Sequence, residues 1–527
     1  MGVLSGIEPQ LVMDYFETLC AIPHGSHNTR AISDYLKAEA ARLGLSCRQD
    51  ELNNIVIVKE ASEGYEDAPG VILQGHMDMV CEKDEDVCFD FEKDGLKLVV
   101  EDDFLRAEGT TLGGDDGIAV AVALAVLADN SLPHPHLEAV FTVDEEVGMD
   151  GAAGLDCSDL SGRLLLNMDS EGEGVFLAGC AGGAGAAIRL PLYREKAEGK
   201  RATLALGGLR GGHSGVEIHH GRANANVMMG RLLDVLLSTG LVRLIDVAGG
   251  GKDNAIPRSC TAHILIDEEK KDEVEAAVRS AEAVFRHEYQ AVDPELNIVF
   301  APGNSAEAKP ETVSSVVREM PGRLGGPARR GFFKPPVSMF KTNLDVADCL
   351  DTLSAGRLIT ALTGLPNGVQ NMDSFIPGLV ETSLNLGILS CTETEAVLSF
   401  SVRSSVISRK DALLRRLQLL AASLGGSFEV SGAYPAWQYL PESRLRDLMV
   451  EIYSGMFGKT PTVETIHAGV ECGLLSDKMP GLDAVSFGPD IYDIHTPKER
   501  MSLSSVARLY AFVCEILRRS RELKKAE

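Results

Sequence analysis

VILQGHMD (71–78), DDGIAVAVALAVLAD (115–129), LEAVFTVDEE (137–146) and LLLNMD (164–169) decide the fold. The first, third and fourth are apolar runs of strand length. The second is long and apolar on most faces, which predicts a buried helix. Strands alternating with helices predict an α/β sheet covered by helices on both faces. Each run also ends in, or opens on, a side chain able to ligate a metal: His76, Asp115, Glu145 with Glu146, and Asp169. A further ligand, His495, closes SFGPDIYDIH (486–495), read as a fourth strand that ends in a ligand. A fold that gathers strand ends at one edge brings them all together. Two histidines and several carboxylates around one point suit divalent ions, Zn²⁺ above all. Two such ions about 3.5–4 Å apart can activate a water and polarise a carbonyl, and a spare carboxylate can move the proton.

Moving outward, PQLVMDYFETLCAI (9–22) and TRAISDYLKAEAARLG (29–44) carry apolar residues at helical spacing, the second ending at Gly44. NNIVIVKE (53–60) is a short β-branched strand. AGCAGGAGAAIRL (178–190), rich in Gly and Ala, reads as a crossover into a different domain. Between 186 and 435 the pattern changes to strand, short loop, amphipathic helix, most clearly in residues 259–285 and 395–424. After SGAYPAW (431–437) the earlier pattern resumes: a helix over 441–458, a strand in AVSFGP (484–489), and a C-terminal helix capped by Ser502. The predicted organisation is therefore a catalytic domain of residues 1–185 and 436–527 interrupted by an inserted α+β domain of residues 186–435. A chain of 527 residues is too long for one core.

The net charge of −27 argues against nucleic acid and anionic membrane surfaces as partners. No apolar run reaches the roughly 18 residues needed to span a bilayer. The start has no basic segment followed by an apolar one. Eleven scattered cysteines, with no C-x-x-C, do not make a closed disulfide framework. The expectation is a cytoplasmic protein with reduced thiols.

Taken together and in order, GHMDMV (75–80), TLGGDDGIAVA (111–121), FTVDEEVGMDGA (141–152), NMDSEGEG (167–174), GGLRGGHSGVEIHHGRANAN (207–226), IHAGVECGL (466–474) and DIHTPKERM (493–501) resemble the M20 metallopeptidase family, most closely its Xaa-His dipeptidase branch. The resemblance runs nearly end to end. It implies a zinc-peptidase-like catalytic domain, a mixed sheet flanked by helices, with the insertion as a lid. It implies two Zn²⁺ per chain, with Mn²⁺ or Co²⁺ as other divalent candidates. Asp115 would bridge them, His76 and Asp169 would complete one position, and Glu146 and His495 the other. Glu145 would be the general acid/base and Asp78 would orient His76. A cis peptide after Asp115 is a further expectation. In the insertion, His213 would stabilise the oxyanion, while Asn254 and Arg403 would hold the substrate's terminal carboxylate. Glu471 would receive its amino group. The implied activity is hydrolysis of dipeptides, of the Xaa-His type or more broadly. A related aminotripeptidase, an N-acyl amino acid deacylase, and a catalytically dead binding relative are the competing readings. Small peptides are the expected partners, with a homodimer as a further expectation.

Overall fold

The structure, a computed structural model, describes residues 2–303, 345–374 and 376–523. Two compact units are present. One comprises Met1–Gly183, Ser404–Ile407 and Gly432–Glu527, and the other Ala184–Arg403 and Ser408–Ser431.

The first unit is built on an eight-stranded mixed sheet. Its order is Ser46–Gln49, Ile55–Lys59, Leu137–Thr142, Val71–His76, Leu164–Asn167, Asp483–Ser486, Val175–Cys180 and Thr462–Ile466. The centre is parallel: Val71–His76 runs alongside Leu137–Thr142 and Leu164–Asn167, and Asp483–Ser486 joins Leu164–Asn167 in the same sense. Parallel strands are normally covered on both faces, and every residue of the first three is buried. Alternate side chains divide between two cores. Ile55, Ile57, Leu73, Phe141 and Leu166 enter the larger one with the helices Gln10–Cys20, Gly114–Ala128, Arg444–Phe457 and Leu503–Arg519. Val56, Ile72, Val140 and Leu165 enter the other with Trp437, Leu475 and Met479. Burying each such aliphatic side chain contributes about 1.5–3 kcal/mol before conformational entropy is subtracted. The predicted helix at 115–129 is buried throughout its regular part, Gly117–Leu127, so it forms a layer of the core.

In-register parallel pairing places His76 beside Thr142 and Gln74 beside Asn167. The segments carrying His76, Glu145 and Asp169 therefore leave the sheet along one edge. The Gly/Ala run carries the expected crossover: Val175–Cys180 belongs to the eight-stranded sheet, Gly182–Pro191 to a ten-stranded one, and the units divide after Gly183. Its glycines admit a neighbouring chain: a Cβ on Gly182 would lie 2.6 Å from Ala436 N, and one on Gly183 2.4 Å from the Tyr434 ring. One detail departs from expectation: SFGPDIYDIH is no continuous strand. Its first strand ends at Ser486, before Gly488-Pro489, where proline removes the ladder donor. His495 lies on a turn between Ile491–Tyr492 and Arg500–Ser502, strands of a small antiparallel sheet, with φ of 60°.

The second unit centres on a ten-stranded sheet whose main order is Asn297–Pro302, Arg194–Gly207, Cys260–Ile266, Val242–Gly249, Val380–Cys391, Glu395–Ser404, Gly182–Pro191 and Ser427–Tyr434. Apolar residues from the helices Ala225–Ser238, Lys271–Glu288, Thr352–Gly364 and Ile407–Ser423 form one core with it. Helices gathered over an antiparallel sheet are the α+β arrangement. Among the described residues, no helix is long and apolar enough to cross a membrane.

Candidate metal centre and active site

His76 is the last residue of its strand and is 1% exposed. Its Nδ1 lies 3.0 Å from the Asp78 carbonyl oxygen, an acceptor, so the proton of a neutral ring belongs on Nδ1. Nε2 is then a lone pair, yet it faces Asp115 Oδ1 at 3.2 Å and Asp169 Oδ1 at 3.7 Å. His495 Nε2 likewise faces Asp115 Oδ2 at 3.2 Å and Glu146 Oε2 at 3.0 Å. With neutral rings, acceptors face acceptors at both places, and a proton or a metal cation between them makes the arrangement favourable. The Asp115 carboxylate takes part in both, one oxygen toward each histidine.

Asp115 can do this because of how its loop is shaped. Gly113 has φ of 66°, Asp115 and Asp116 are non-helical, and their peptide bond is cis, as the resemblance implied. Glu145 and Glu146 follow a turn in which Asp144 has φ of 56°. That turn breaks strand alternation, which would otherwise point adjacent side chains in opposite directions. His76 with Glu145 and Glu146, His76 with Asp116 and Asp169, and Asp115 with Glu146 and His495 each bring their ligand atoms within 4.8 Å.

The electrostatics describe the same crowding. Burial pushes the Glu145 carboxyl well above its ordinary range, and the charges of Asp169, Glu471 and Glu146 add to the effect against His76. Burial likewise raises Asp169 to about 8. Burial would also raise Asp115, but the imidazoles of His495 and His76 hold it well below the carboxylate range. Hydrogen bonds to Asp115 and Glu146 lift His495 to about 10. In the absence of metal, protons do the neutralising. The donor set fits divalent ions: two imidazoles and a ring of carboxylates, with Glu146 Oε1 buried and lacking any hydrogen-bond partner.

Asp78 is buried beside His76, its Oδ1 3.5 Å from Nδ1. Glu471 opens the helix Glu471–Lys478 and is fully buried. Its Oε2 accepts from Gln74 Nε2 at 2.5 Å and from Thr142 Oγ1 at 2.6 Å, while Oε1 has no hydrogen-bond partner. Burial raises this carboxyl to about 7.

In the second unit, His213 pairs with Ala255, and the Ser214 N–H donates to the Asn254 carbonyl at 2.8 Å. His213 Nδ1 accepts the N–H groups of Gly215 and Val216, both at 3.2 Å, which leaves the proton of the neutral ring on Nε2. Burial, and then the charge of Arg403, lower its pKa and favour that neutral ring. Arg403 is 8% exposed on the strand Glu395–Ser404, and the Asn254 side chain is exposed. The His219 and His220 rings lie tilted at 44° to each other with centroids 4.1 Å apart.

Several participants were not singled out from sequence. Asp116 accepts the His76 backbone N–H at 3.2 Å. Gln74, Asn167 and Thr142 form a buried polar group beneath the centre, with Asn167 Nδ2 donating to Gln74 Oε1 at 2.5 Å. Glu499 accepts four backbone N–H groups of the Asp115 loop. Its signal was present in DIHTPKERM, but nothing local tells what a glutamate there touches.

This fold and this donor set define a hydrolase of the peptidase class. The chain belongs to peptidase family M20/M25/M40, which matches residues 72–519. It is 35% identical over 520 residues to the cytosol non-specific dipeptidase of Escherichia coli (strain K12), covering 98% of this chain and 99% of that one. The aminoacylhistidine dipeptidase of Vibrio alginolyticus superposes with a TM-score of 0.84 at 33% identity, covering 99% of each chain. A Staphylococcus aureus tripeptidase shares the fold, with a TM-score of 0.52 at 16% identity, covering 98% of this chain and 100% of that one.

Proposed function

We propose that this protein is a dipeptidase that uses two divalent ions, most plausibly Zn²⁺, and Glu145 as the general acid/base. The observation that carries the reading is the Asp115 carboxylate, which offers one oxygen to each of two histidine-centred donor groups. His76 and Asp169 would hold one ion, Glu146 and His495 the other, with Asp115 shared. Bound ions supply Lewis acidity, polarising the scissile carbonyl and lowering the pKa of water. Glu145 takes the proton of the attacking water and passes it to the leaving amine. His213 donates from Nε2–H to the developing oxyanion. Arg403 and Asn254 bind the substrate's terminal carboxylate, the guanidinium by its planar fork, and Glu471 takes the amino group. Dipeptides as substrates are supported by the names of the two relatives at 35% and 33% identity, and a cytosolic setting by that of the first.

The test is hydrolysis of a panel of Xaa-His and other dipeptides, tripeptides and N-acyl amino acids, with and without a chelator. Cleavage of dipeptides, lost on chelation and restored by Zn²⁺, is expected. Preference for tripeptides or acyl amino acids would replace the substrate assignment. Glu145→Gln should bind metal normally and lose about 10²–10⁴ in kcat; full activity in that variant would overturn the role of Glu145.

A further inference from the structure

Glu499 lies four positions beyond His495 and is 2% exposed. One of its oxygens accepts the N–H groups of Leu112 at 2.7 Å and Gly113 at 3.2 Å. The other accepts Gly114 N–H at 2.9 Å and Asp115 N–H at 3.4 Å. Four successive backbone donors thus converge on one carboxylate, as they do in anion-binding nests. The adjacent Arg500 turns instead to Asp493, Phe104 and Tyr492. A Cβ on Gly114 would come within 3.2 Å of Glu499 Oε1, which explains a small residue there. On its other side, the Glu499 N–H donates to the Thr496 carbonyl at 3.1 Å and closes the 496–499 turn that follows His495 directly.

We infer that Glu499 is a positioning residue that ties the Asp115 loop to the His495 turn and thereby sets the geometry of the Glu146–His495 metal position. The inference rests on the two-ion reading above. His76 ends one sheet strand and Asp169 follows another, so in their position only the shared Asp115 depends on this tie, whereas in the other position both Asp115 and His495 do. The two positions therefore differ in their dependence on Glu499. Glutamine is isosteric but sets its amide N–H₂ against backbone donors, so Glu499→Gln removes half of the clasp without opening a cavity.

The experiment is a Co²⁺ titration of the metal-free full-length protein, followed by calorimetry and visible absorption, with circular dichroism as the fold control. The wild type is expected to take up two ions. In Glu499→Gln the first should bind within about threefold of wild type and the second at least about tenfold more weakly, the scale of loss when a ligand's supporting group is removed. Excess Co²⁺ should then restore kcat. Glu499→Asp, which keeps the charge on a shorter arm, should fall between the two and is the variant to read if the glutamine form does not fold. Wild-type affinity at both positions, or equal weakening of both, overturns the inference. A wild type that takes up fewer than two ions overturns the two-ion reading itself.

Discussion

The Asp78 carboxylate accepts the backbone N–H of Glu145 at 3.1 Å. The same oxygen lies 3.5 Å from His76 Nδ1, and the other accepts the Ser26 hydroxyl at 2.8 Å. One buried group therefore lies against the ring of a proposed metal ligand and binds the peptide from which the proposed base extends. Asp78→Ala should lower kcat/KM and metal affinity together, by about 10–100-fold. Asp78→Asn keeps an acceptor for the Glu145 N–H and should fall between Ala and wild type. Steady-state kinetics and metal titration of both variants check this; a loss in one parameter alone would refute the double role.

Chelation should expose the mutual repulsion of the carboxylates. Asp169 is held at about 8 in the folded metal-free chain, against about 3.9 for an unperturbed aspartate. The folded state binds that proton more tightly, so metal-free stability should fall as pH rises from about 4 to about 8. A saturating divalent ion should suppress this slope and raise the melting temperature, since a ligand at 100 times its Kd adds about 2.7 kcal/mol. Thermal unfolding across pH with EDTA or Zn²⁺ reads both effects.

Gly75→Ala should destabilise the protein. Its Cβ would meet Asp116 Oδ2 at 2.5 Å and the Ala119 Cβ at 2.6 Å, inside the wall between sheet and buried helix. Overpacking of this kind costs about 1–3 kcal/mol. Gly356→Ala is the control: it sits in the helix Thr352–Gly364 with nothing within 4 Å of its Cβ. That change should stabilise by about 0.4–1 kcal/mol. Urea unfolding of both variants gives the comparison.

His213→Ala should reduce kcat by about 10²–10³ through loss of an oxyanion donor, with metal content unchanged. Metal analysis beside single-turnover kinetics separates this from a damaged centre. An unchanged kcat would remove His213 from the reaction.

The α/β class was legible because strand and helix periods are local. Val71–His76, Leu137–Thr142 and Leu164–Asn167 are continuous apolar runs, as strands buried on both faces should be. His76, Asp115, Glu145, Glu146 and Asp169 stood out because each ends or opens such a run, whereas His495 lies on a turn after a broken one. What lay beyond local pattern was register and close approach. Gln74 meets Asn167 only through strand pairing, and Glu499 meets Leu112 across 387 positions. The Gly/Ala run at 178–190 marked the passage into the second unit but, for the same reason, not what packs against it. Its missing side chains leave room for Tyr434 and Ala436, and no property of the run itself announces what fills the gap.

The strand Asp483–Ser486 lies in the sheet between Leu164–Asn167 and Val175–Cys180. Ser170 and Ser486, whose hydroxyls meet at 2.8 Å, are 316 positions apart. During synthesis, then, the Leu164–Asn167 edge waits on the order of tens of seconds for its partner to leave the ribosome. Over that interval the nascent chain displays an open parallel edge, the kind of surface that recruits chaperones or stray strands. A chain truncated before residue 483 has an incomplete sheet and lacks His495, so two separate parts of the fold fail together.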